Sequence, residues 1–305
     1  MNDNNLLLDK LSKIYFLSME DLKTVIIDEL KEYADYIDSD YAGNIIIKKN
    51  GKGKSINVLF EISPIGVLTR KIIEDKSEFD ILGNFDKTEF INNIVYKNNK
   101  PTGIIRKKNI EDKEDKLQYI EYFDDIINDI PQILSFEQRM ICKDKSLYSI
   151  NLNSIISCYI AINLFKEICN CDKQICFTIW NSSISSSLRK INNNVYNLGL
   201  FVSSISSQEG CLADKGASVC VKDGCYVLNS STKNKINDIL NKDKDDYQFF
   251  IGKSNPAMEE YSLLNFVEMI GVYYPIMYKN TKFEQIFLKD IEKTLNLLLK
   301  IILNI

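Results

Sequence analysis

The 305-residue sequence contains no histidine. Without an imidazole, the chain cannot build a Ser-His-Asp triad or a Cys-His catalytic pair. It also lacks the commonest metal ligand in proteins, which is the side chain whose ordinary pKa lies nearest to neutral pH. Any catalysis by its own side chains would therefore have to use carboxylates, lysine, tyrosine or cysteine.

Positive charge in excess and long apolar runs are also absent. The formal net charge is -4 and the pI is about 5.2, whereas nucleic-acid-binding domains usually carry a basic face. No apolar run reaches the roughly 18 to 20 residues that a membrane helix needs. The first residues are too polar for a secretory signal. We therefore expect a cytoplasmic protein with no nucleic-acid or membrane partner.

None of the eight cysteines forms a Cys-x-x-Cys pair. Several lie in apolar runs, as Cys176 does between Ile175 and Phe177. This context predicts small buried side chains in a reducing compartment. A metal cluster built from Cys169, Cys171 and Cys176 is the alternative hypothesis.

Hydrophobic periodicity predicts two N-terminal helices, at 4–17 and 19–37, and a C-terminal helix that includes Ile291 and Ile302. Segments 43–49 and 55–62, joined by Asn-Gly, predict a β-hairpin. Strands and helices alternate in the second half of the chain, which predicts an α/β fold with helices on both faces of a sheet. The predicted strands are 175–180, 195–202, 217–221, 247–251 and 271–277, and the predicted helices are 153–168, 182–191, 232–240 and 257–270.

Residues 67–146 have a different pattern, with short β-like segments at 91–96 and 103–106 and a charged run at 107–116. The run is typical of a solvated loop. We therefore predict one discontinuous α/β domain, residues 1–66 and 147–305, interrupted by a small β-rich domain of residues 67–146.

Two local motifs offer little support for other activities. Gly-Lys-Ser occurs at 53–55 and 252–254, but the first glycine of a phosphate loop would fall on Lys48 and Tyr247. The serine-rich segment 182–187 could hold a nucleophile only with Lys190 as its base, and a polar loop or helix start explains it better.

The segment after the second predicted helix resembles the opening of the tetrahedral (glutamyl) aminopeptidases, a family of dinuclear zinc metallopeptidases. Residues 40–44 read Asp-Tyr-Ala-Gly-Asn and residues 51–53 read Gly-Lys-Gly. In the family, these motifs precede a strand that ends Ala-His-x-Asp-x-Ile-Gly. Residues 60–66 match that ending, with Glu61 at the metal-binding histidine and Ser63 at the aspartate that orients it.

The resemblance continues in order along the chain. Asn153 takes the place of the bridging aspartate, and Asn181 that of the general-base glutamate. Ser182 stands at a metal-ligand glutamate, and Ser203 at a metal-ligand aspartate, with Val202 as the alternative register.

Two C-terminal motifs complete the resemblance. Residues 252–257 are similar to the family's Gly-Gly-Thr-Asp-Ala turn, so that Ser254 and Asn255 would line the cleft with Ser63. The closing Arg-Tyr-x-His-Ser motif matches a segment in which Tyr278 is the tyrosine, also in the cleft, and Asn280 replaces the last metal histidine.

The resemblance implies a zinc-aminopeptidase-like mixed sheet with helices on both faces and an inserted small β-barrel-like domain, which mediates dimer contacts in the family. The family uses two zinc or cobalt ions, held by anionic and imidazole ligands. Amides and hydroxyls bind zinc poorly, and only Glu61 keeps a strong donor. The sequence therefore implies no metal cofactor and no catalytic residue, since Asn181 cannot act as a base.

Three functional hypotheses remain open at this stage. The chain is an inactive pseudo-peptidase that assembles with itself through residues 67–146 or with an active paralogue, or that binds peptides in the old cleft. Alternatively, it is an active hydrolase with a rebuilt site that uses Glu61 or a cysteine. The third hypothesis is neutral decay of the gene product.

Overall fold

The structure is a computed structural model, and all structural statements below concern the residues that it describes. These are residues 3–14, 19–41, 43–63, 65–73, 76–83, 85–97, 100–107, 118–123, 132–137, 139–181, 198–224, 226–241, 247–252 and 269–304. The described helices are α1 Asp3–Ser12, α2 Met19–Leu30, α3 Leu152–Ile168, α4 Ser230–Asn241 and α5 Leu288–Asn304. Among them, no helix is long and apolar enough to cross a membrane.

The described elements also include one 3-10 helix, Lys87–Phe90, and eighteen strands. The strands are β1 Tyr36–Ser39, β2 Ile45–Lys49, β3 Ser55–Ile62, β4 Gly66–Ile73, β5 Lys76–Leu82, β6 Ile94–Lys97, β7 Lys100–Lys107, β8 Gln118–Tyr122, β9 Ile133–Phe136, β10 Ile141–Lys143, β11 Ser146–Ser149, β12 Gln174–Asn181, β13 Leu198–Ser206, β14 Ser218–Asp223, β15 Tyr226–Val227, β16 Gln248–Gly252, β17 Met269–Ile276 and β18 Glu284–Phe287.

Nine strands form a mixed sheet in the order β1-β2-β12-β3-β13-β17-β14-β15, with β16 paired to β14. The four central strands β12, β3, β13 and β17 run parallel, as the alternation of strands and helices predicts. The α/β fold class is confirmed.

Side chains alternate between two apolar clusters on the faces of this sheet. Along β13, Leu200 and Val202 join the helix-side core, to which all five described helices contribute. Phe201 and Ile205 join a second core on the opposite face, together with Trp180. Consequently, Ser203 shares the face of Phe201 rather than the helix-side face.

The predicted helix at 19–37 is wrong at its C-terminal end. Its apolar stripe, Leu22, Ile26 and Leu30, is fully buried, and α2 ends where that stripe ends. Residues 36–39 instead form β1, which pairs antiparallel with β2. The first helix is also shorter than predicted and ends at Ser12.

The predicted hairpin is wrong as well. Strand β12 lies between β2 and β3, antiparallel to the former and parallel to the latter. The connecting loop crosses the start of β12 so closely that the Gly53 N–H donates to the Asp172 carbonyl at 2.6 Å. A Cβ atom on Gly51 would lie 2.3 Å from the Lys173 carbonyl oxygen. The glycines therefore permit a backbone crossing, not a two-residue turn.

Strands β4-β5-β8-β7-β6-β9 close into a barrel, which confirms the inserted barrel-like unit. Its interior is apolar and includes the buried Val67, Phe90, Ile105 and Leu134. The charged run lies outside the described residues from 108 onward. Strand β10 falls inside the predicted insert, but it pairs with β11, which in turn pairs with β18.

Most of the remaining predicted elements fit the described ones, but the strand predicted to end at residue 202, β13, extends to Ser206. The observed limits lie within a few residues of the predicted ones for α3, α4, β12, β14 and β16. Helix α5 includes Ile291 and Ile302, as predicted. The segment 182–191 lies outside the described residues, as does most of 257–270. Met269 and Ile270, predicted as helical, belong to β17.

Candidate functional site

The positions matched to the metalloenzyme motifs gather at the carboxyl ends of the central parallel strands, where ligands bind in open α/β sheets. Glu61 is the penultimate residue of β3, and Asn181 is the last residue of β12. Ser203 lies in β13. The N-terminus of α3 and the turn between β17 and β18 (residues 277–283), which we call the closing turn, complete this region.

Two of the matched positions are in direct contact. The Ser203 hydroxyl donates to Glu61 Oε2 at 2.6 Å, and Ser203 is 1% exposed. Val202, the alternative in the neighbouring register, is fully buried in the helix-side core. The serine therefore satisfies one oxygen of the single carboxylate among the matched positions.

Asn153 lies in a second hydrogen-bond network, beneath Glu61. The Ser157 hydroxyl donates to the Glu61 carbonyl oxygen at 2.7 Å, and Ser157 Oγ lies 2.8 Å from the Tyr274 hydroxyl. That hydroxyl is also 2.9 Å from both Asn153 Oδ1 and the Asn153 carbonyl oxygen. Tyr274 is fully buried, and burial raises its pKa well above the usual value. The phenol therefore stays protonated and can donate to the asparagine.

The other predicted site residues are placed less centrally. Asn181 is buried, and its amide donates to Met19 Sδ of α2 at 3.6 Å. Ser63 is partly buried just beyond β3. Ser182, Ser254 and Asn255 lie outside the described residues.

The closing turn is held by a carboxylate that sequence reasoning missed. Glu284 Oε1 accepts from the Asn280 N–H at 2.9 Å, and Oε2 accepts from the Leu152 N–H at 2.6 Å. Glu284 is 2% exposed, and this burial raises its pKa against the opposing backbone hydrogen bonds. One side chain thus fastens the turn and also caps α3.

Local features of α3 signal the need for such a cap. Its N-cap residue, Asn151, has a left-handed backbone (φ 67°) and makes no side-chain cap bond, and the first turn has no acidic residue. The free N–H groups at a helix start need an acceptor. The sequence could show that the N-terminus of α3 needs an acceptor. It could not show that Glu284 supplies that acceptor.

Lys279 is a further residue that the motif comparison left unassigned. Its ammonium donates to the Ser204 carbonyl oxygen at 2.7 Å. Burial lowers the pKa of Lys279, and the negative charges of Glu61, Glu284 and Glu209 act in the opposite direction. Tyr278 and Asn280 on either side have left-handed backbones, with φ of 54° and 65°. This conformation is uncommon outside glycine and asparagine.

The donor set at the described matched positions does not fit a zinc pair. It comprises one carboxylate, three amides and one hydroxyl, from Glu61, Asn153, Asn181, Asn280 and Ser203. Zinc sites use thiolate, imidazole and carboxylate donors. In the part of the chain described, no three His, Cys, Asp or Glu side chains converge as a metal site would require.

The described cysteines show the features of buried apolar side chains. Five of the seven are buried. Cys169, Cys171 and Cys176 do not form the alternative metal cluster, since no such group occurs among the described residues. Burial raises the pKa of Cys211 to about 11 and that of Cys220 to about 12. These thiols are protonated at neutral pH and are therefore weak nucleophiles.

A separate cavity of about 500 Å³ lies between the barrel and the β10-β11-β18 sheet. Ile94 and Phe136 line it from the barrel, and Ile141 and Tyr148 from the sheet. Phe283 of the closing turn completes the wall. The closing turn therefore contributes both to this cavity and to the cleft.

Comparisons with known proteins agree with this geometry. No protein-family model matches the chain. A protein of Acetivibrio thermocellus, provisionally assigned as an aminopeptidase, is 28% identical over 171 residues. That match spans 52% of this chain and 51% of that protein, about half the length of each.

Solved structures cover nearly the whole chain. The TET1 peptidase of Pyrococcus horikoshii, which can assemble into a tetrahedron or a large octahedral shell, has a TM-score of 0.82 at 17% identity, over 98% of both chains. The chain has the fold of the TET aminopeptidases. A TET aminopeptidase from a marine-sediment thaumarchaeon has a TM-score of 0.84 at 12% identity, over 99% of this chain and 96% of that one. Both matches extend over the inserted barrel as well as the α/β domain, since they cover at least 98% of this chain.

Proposed function

We propose that this chain is a metal-free pseudo-peptidase, a TET-like protein that has lost aminopeptidase activity. The observation that carries the proposal is the direct hydrogen bond, 2.6 Å long, between Ser203 and Glu61. It joins two positions at which the resemblance places metal ligands. A dinuclear zinc site acts by activating a bridging water. One carboxylate and one hydroxyl cannot hold two zinc ions, and the amide of Asn181 cannot take a proton from water.

The neutral substitutions also have a stabilising rationale. Carboxylates that share a site repel one another and resist simultaneous ionisation when no cation compensates them. Asn153 instead contacts Tyr274, and Ser203 contacts Glu61. These hydrogen bonds satisfy the matched positions within the chain, which supports a fold that needs no metal.

The alternative of a rebuilt active site requires Glu61 to meet a second reactive group. The carboxylate of Glu284 is the strongest candidate, but it accepts backbone N–H groups of Leu152 and Asn280. Cys211 and Cys220 have raised pKa values. No described contact favours peptide binding in the cleft either, so the inactive form is the better-supported proposal.

Turnover assays test this proposal directly. Aminoacyl-p-nitroanilides with acidic, basic and apolar residues are incubated with the protein plus zinc, cobalt or manganese, beside an active TET aminopeptidase. We expect no release above the protein-free rate. The Glu61→Gln variant serves as the control for contaminants. Metal-dependent release that disappears in this variant would contradict the proposal and support a rebuilt site.

The proposed role includes self-assembly through residues 67–146. The TET1 peptidase of Pyrococcus horikoshii assembles into shells, and the barrel exposes Phe123 (49%) and Ile133 (40%) to solvent. The proposal places these two side chains in the contact surface, where assembly would remove them from water. Assembly with an active paralogue is a variant of the same proposal. The proposed location is the cytoplasm, because all seven described cysteines are free and free thiols are typical of reducing compartments.

Light scattering during size-exclusion chromatography measures this assembly. We expect Phe123→Glu combined with Ile133→Glu to lower the molar mass. Leu212→Glu is the matched control, because Leu212 is 60% exposed and lies outside the barrel. A monomeric wild-type protein, or an equal effect of the control, would contradict self-assembly through this domain.

A further inference from the structure

The cavity between the barrel and the β10-β11-β18 sheet gathers apolar side chains that the fold leaves exposed. Ile94 of β6, Ile141 of β10 and Phe283 of the closing turn line it and are 40%, 52% and 68% exposed. The buried Phe136 and Ile150 line it as well. Its volume of about 500 Å³ lies within the range of small-molecule sites, roughly 300 to 1,000 Å³. These walls therefore suit the apolar body of a small ligand.

One cationic side chain that lines this cavity has neutral partners. The Lys282 ammonium donates to Asn93 Oδ1 at 3.3 Å and lies 5.7 Å from the centroid of the Phe90 ring. That ring stacks on the ring of Phe136, with 4.3 Å between the two centroids. Lys282 is half-buried, and within the described part of the chain no carboxylate forms an ion pair with it. Its positive charge is therefore available to an anionic ligand beside an aromatic wall.

The other charged side chains that line the cavity compensate each other. Arg139 Nε and Nη2 lie 2.8 Å and 2.7 Å from Glu137 Oε1. This pair leaves Lys282 as the uncompensated charge among the described lining residues. A single ammonium balances a carboxylate, whereas a phosphate monoester carries about 1.5 to 2 negative charges at neutral pH. The charge balance therefore favours a carboxylate as the anionic group.

We propose that this cavity is a binding site for small carboxylic acids that carry an apolar, aromatic or aliphatic body. The carboxylate pairs with the Lys282 ammonium, and the apolar body packs against Phe136 and Phe283. An ammonium has three N–H donors, so Lys282 can bind the ligand without releasing Asn93. The inference goes beyond the proposed function, because the ligand contacts the walls of this cavity and not the matched positions of the cleft.

Three ligands of similar shape and different charge test the proposal on the wild-type chain. Phenylbutyrate, phenylbutyramide and phenylbutylamine share one apolar body and carry a negative, a neutral and a positive group. In ligand-observed NMR titrations, we expect the acid to bind about tenfold more tightly than the amide, as for one charge-assisted hydrogen bond. The amine should bind more weakly than either. Equal affinities for acid and amide, or no binding of the acid up to about 10 mM, would overturn the proposal.

A lysine substitution then locates the site. Lys282→Met removes the charge and keeps most of the length, so it should weaken phenylbutyrate binding about tenfold and leave phenylbutyramide binding unchanged. Lys76→Met is the matched control. The Lys76 ammonium also lies near an aromatic ring of the barrel, 5.3 Å from the Tyr119 centroid, but Lys76 does not line the cavity. Equal weakening by the two substitutions, or no effect of Lys282→Met, would overturn the assignment.

Phe283→Ala tests the apolar wall and the rival occupant, which is a second copy of the chain. It should weaken the acid and the amide by similar factors and leave the molar mass in light scattering unchanged. A lower molar mass, with no binding of the acid to the wild type, would assign the cavity to a contact between copies and overturn the proposal. If Lys282→Met does not fold, the ranking of the three ligands on the wild type decides. Turnover with added metal would contradict only the proposed function.

Discussion

Two groups of polar side chains in this molecule differ in what they bind. Glu284 and Asp290 are buried carboxylates that each accept backbone N–H groups. Asp290 Oδ1 accepts from Gly216 at 2.8 Å and Oδ2 from Asp214 at 2.9 Å. In the cleft, by contrast, Asn153 and Ser203 stand where the resemblance places carboxylates that would bind metal.

This difference indicates why a carboxylate suits some buried positions of this chain and not others. A buried carboxylate is tolerated where several N–H groups satisfy it. The partners of Glu284 and Asp290 belong to the backbone and remain whatever the cofactor. A carboxylate in the cleft would depend on a bound cation, and without one it would repel Glu61. The first group therefore depends only on the backbone of the chain, whereas carboxylates at the positions of the second group would depend on a bound cation.

The largest expected effect comes from breaking the first group at Glu284. Glu284→Ala leaves buried N–H groups of α3 and the closing turn without acceptors, at a cost of about 4 kcal/mol. With an unfolding entropy of about 2.1 cal/mol/K per residue, this lowers Tm by roughly 6 °C for a chain of this length. Differential scanning calorimetry measures the change.

The control for this prediction keeps part of the cap. Glu284→Gln retains one carbonyl acceptor but turns its NH2 group toward the other N–H, so it should lose less stability than Glu284→Ala without matching the wild type. Glu292→Ala, in the first turns of α5 and away from the cap, should shift Tm by less than 1 °C. If Glu284→Ala were as stable as wild type, the division into structural and cofactor-dependent carboxylates would be wrong.

The second prediction places a carboxylate back in the cleft. Ser203→Asp sets a second negative charge against Glu61, which Ser203 now contacts at 2.6 Å. Repulsion at an intermediate dielectric costs about 2 kcal/mol, so that Tm should fall by about 3 °C in metal-free buffer. Thermal unfolding monitored by circular dichroism provides the measurement.

Ser203→Asn is the matched control, because it has nearly the same size and no charge. The Asp variant should be less stable than the Asn variant, and the gap should narrow as the pH falls and the added carboxyl becomes protonated. Equal stability of the two variants at neutral pH would show that size, rather than charge, limits this position.

Sequence reasoning succeeded where a local pattern determines the element. The apolar run that forms α3 and the alternating strands and helices that follow it were placed within a few residues of their observed limits. The Asn50-Gly51 signal predicted a hairpin wrongly, because Gly51 permits a close crossing of the backbone over Lys173 rather than a two-residue turn. The loop forms a crossing because β12 pairs between β2 and β3. That pairing depends on residues far along the chain.

The sequence indicated which residues lie in the candidate site, but not which side chains they contact. The motif order located Glu61, Asn153, Ser203 and Asn280 in one region. Their present partners could not be inferred, because Tyr274 lies 121 residues from Asn153 along the chain. Lys279 stands at the variable position of the Arg-Tyr-x-His-Ser motif, so the motif gives it no partner. Its contact with β13 requires the left-handed turn around it, which the motif does not predict.

The smallest expected effect concerns the pH dependence of the second structural carboxylate. Burial raises the pKa of Asp290 above its ordinary value, which is about 3.9 in unfolded chains. The native state therefore binds this proton at a higher pH than the unfolded state does. The resulting stabilisation is complete below the unfolded pKa and is lost as the pH rises through the native pKa.

The Asp290→Asn variant isolates this contribution, because it lacks the titrating group and keeps one acceptor. The Tm of wild type minus that of Asp290→Asn should increase between pH 7 and pH 4. Asp214→Asn, at an exposed position, should show no such trend. A difference that shrinks on acidification would mean that the backbone N–H groups outweigh burial at Asp290. The carboxylate would then be held chiefly as an anion, as a metal-binding carboxylate is, and the contrast between the two groups of side chains would lose its basis.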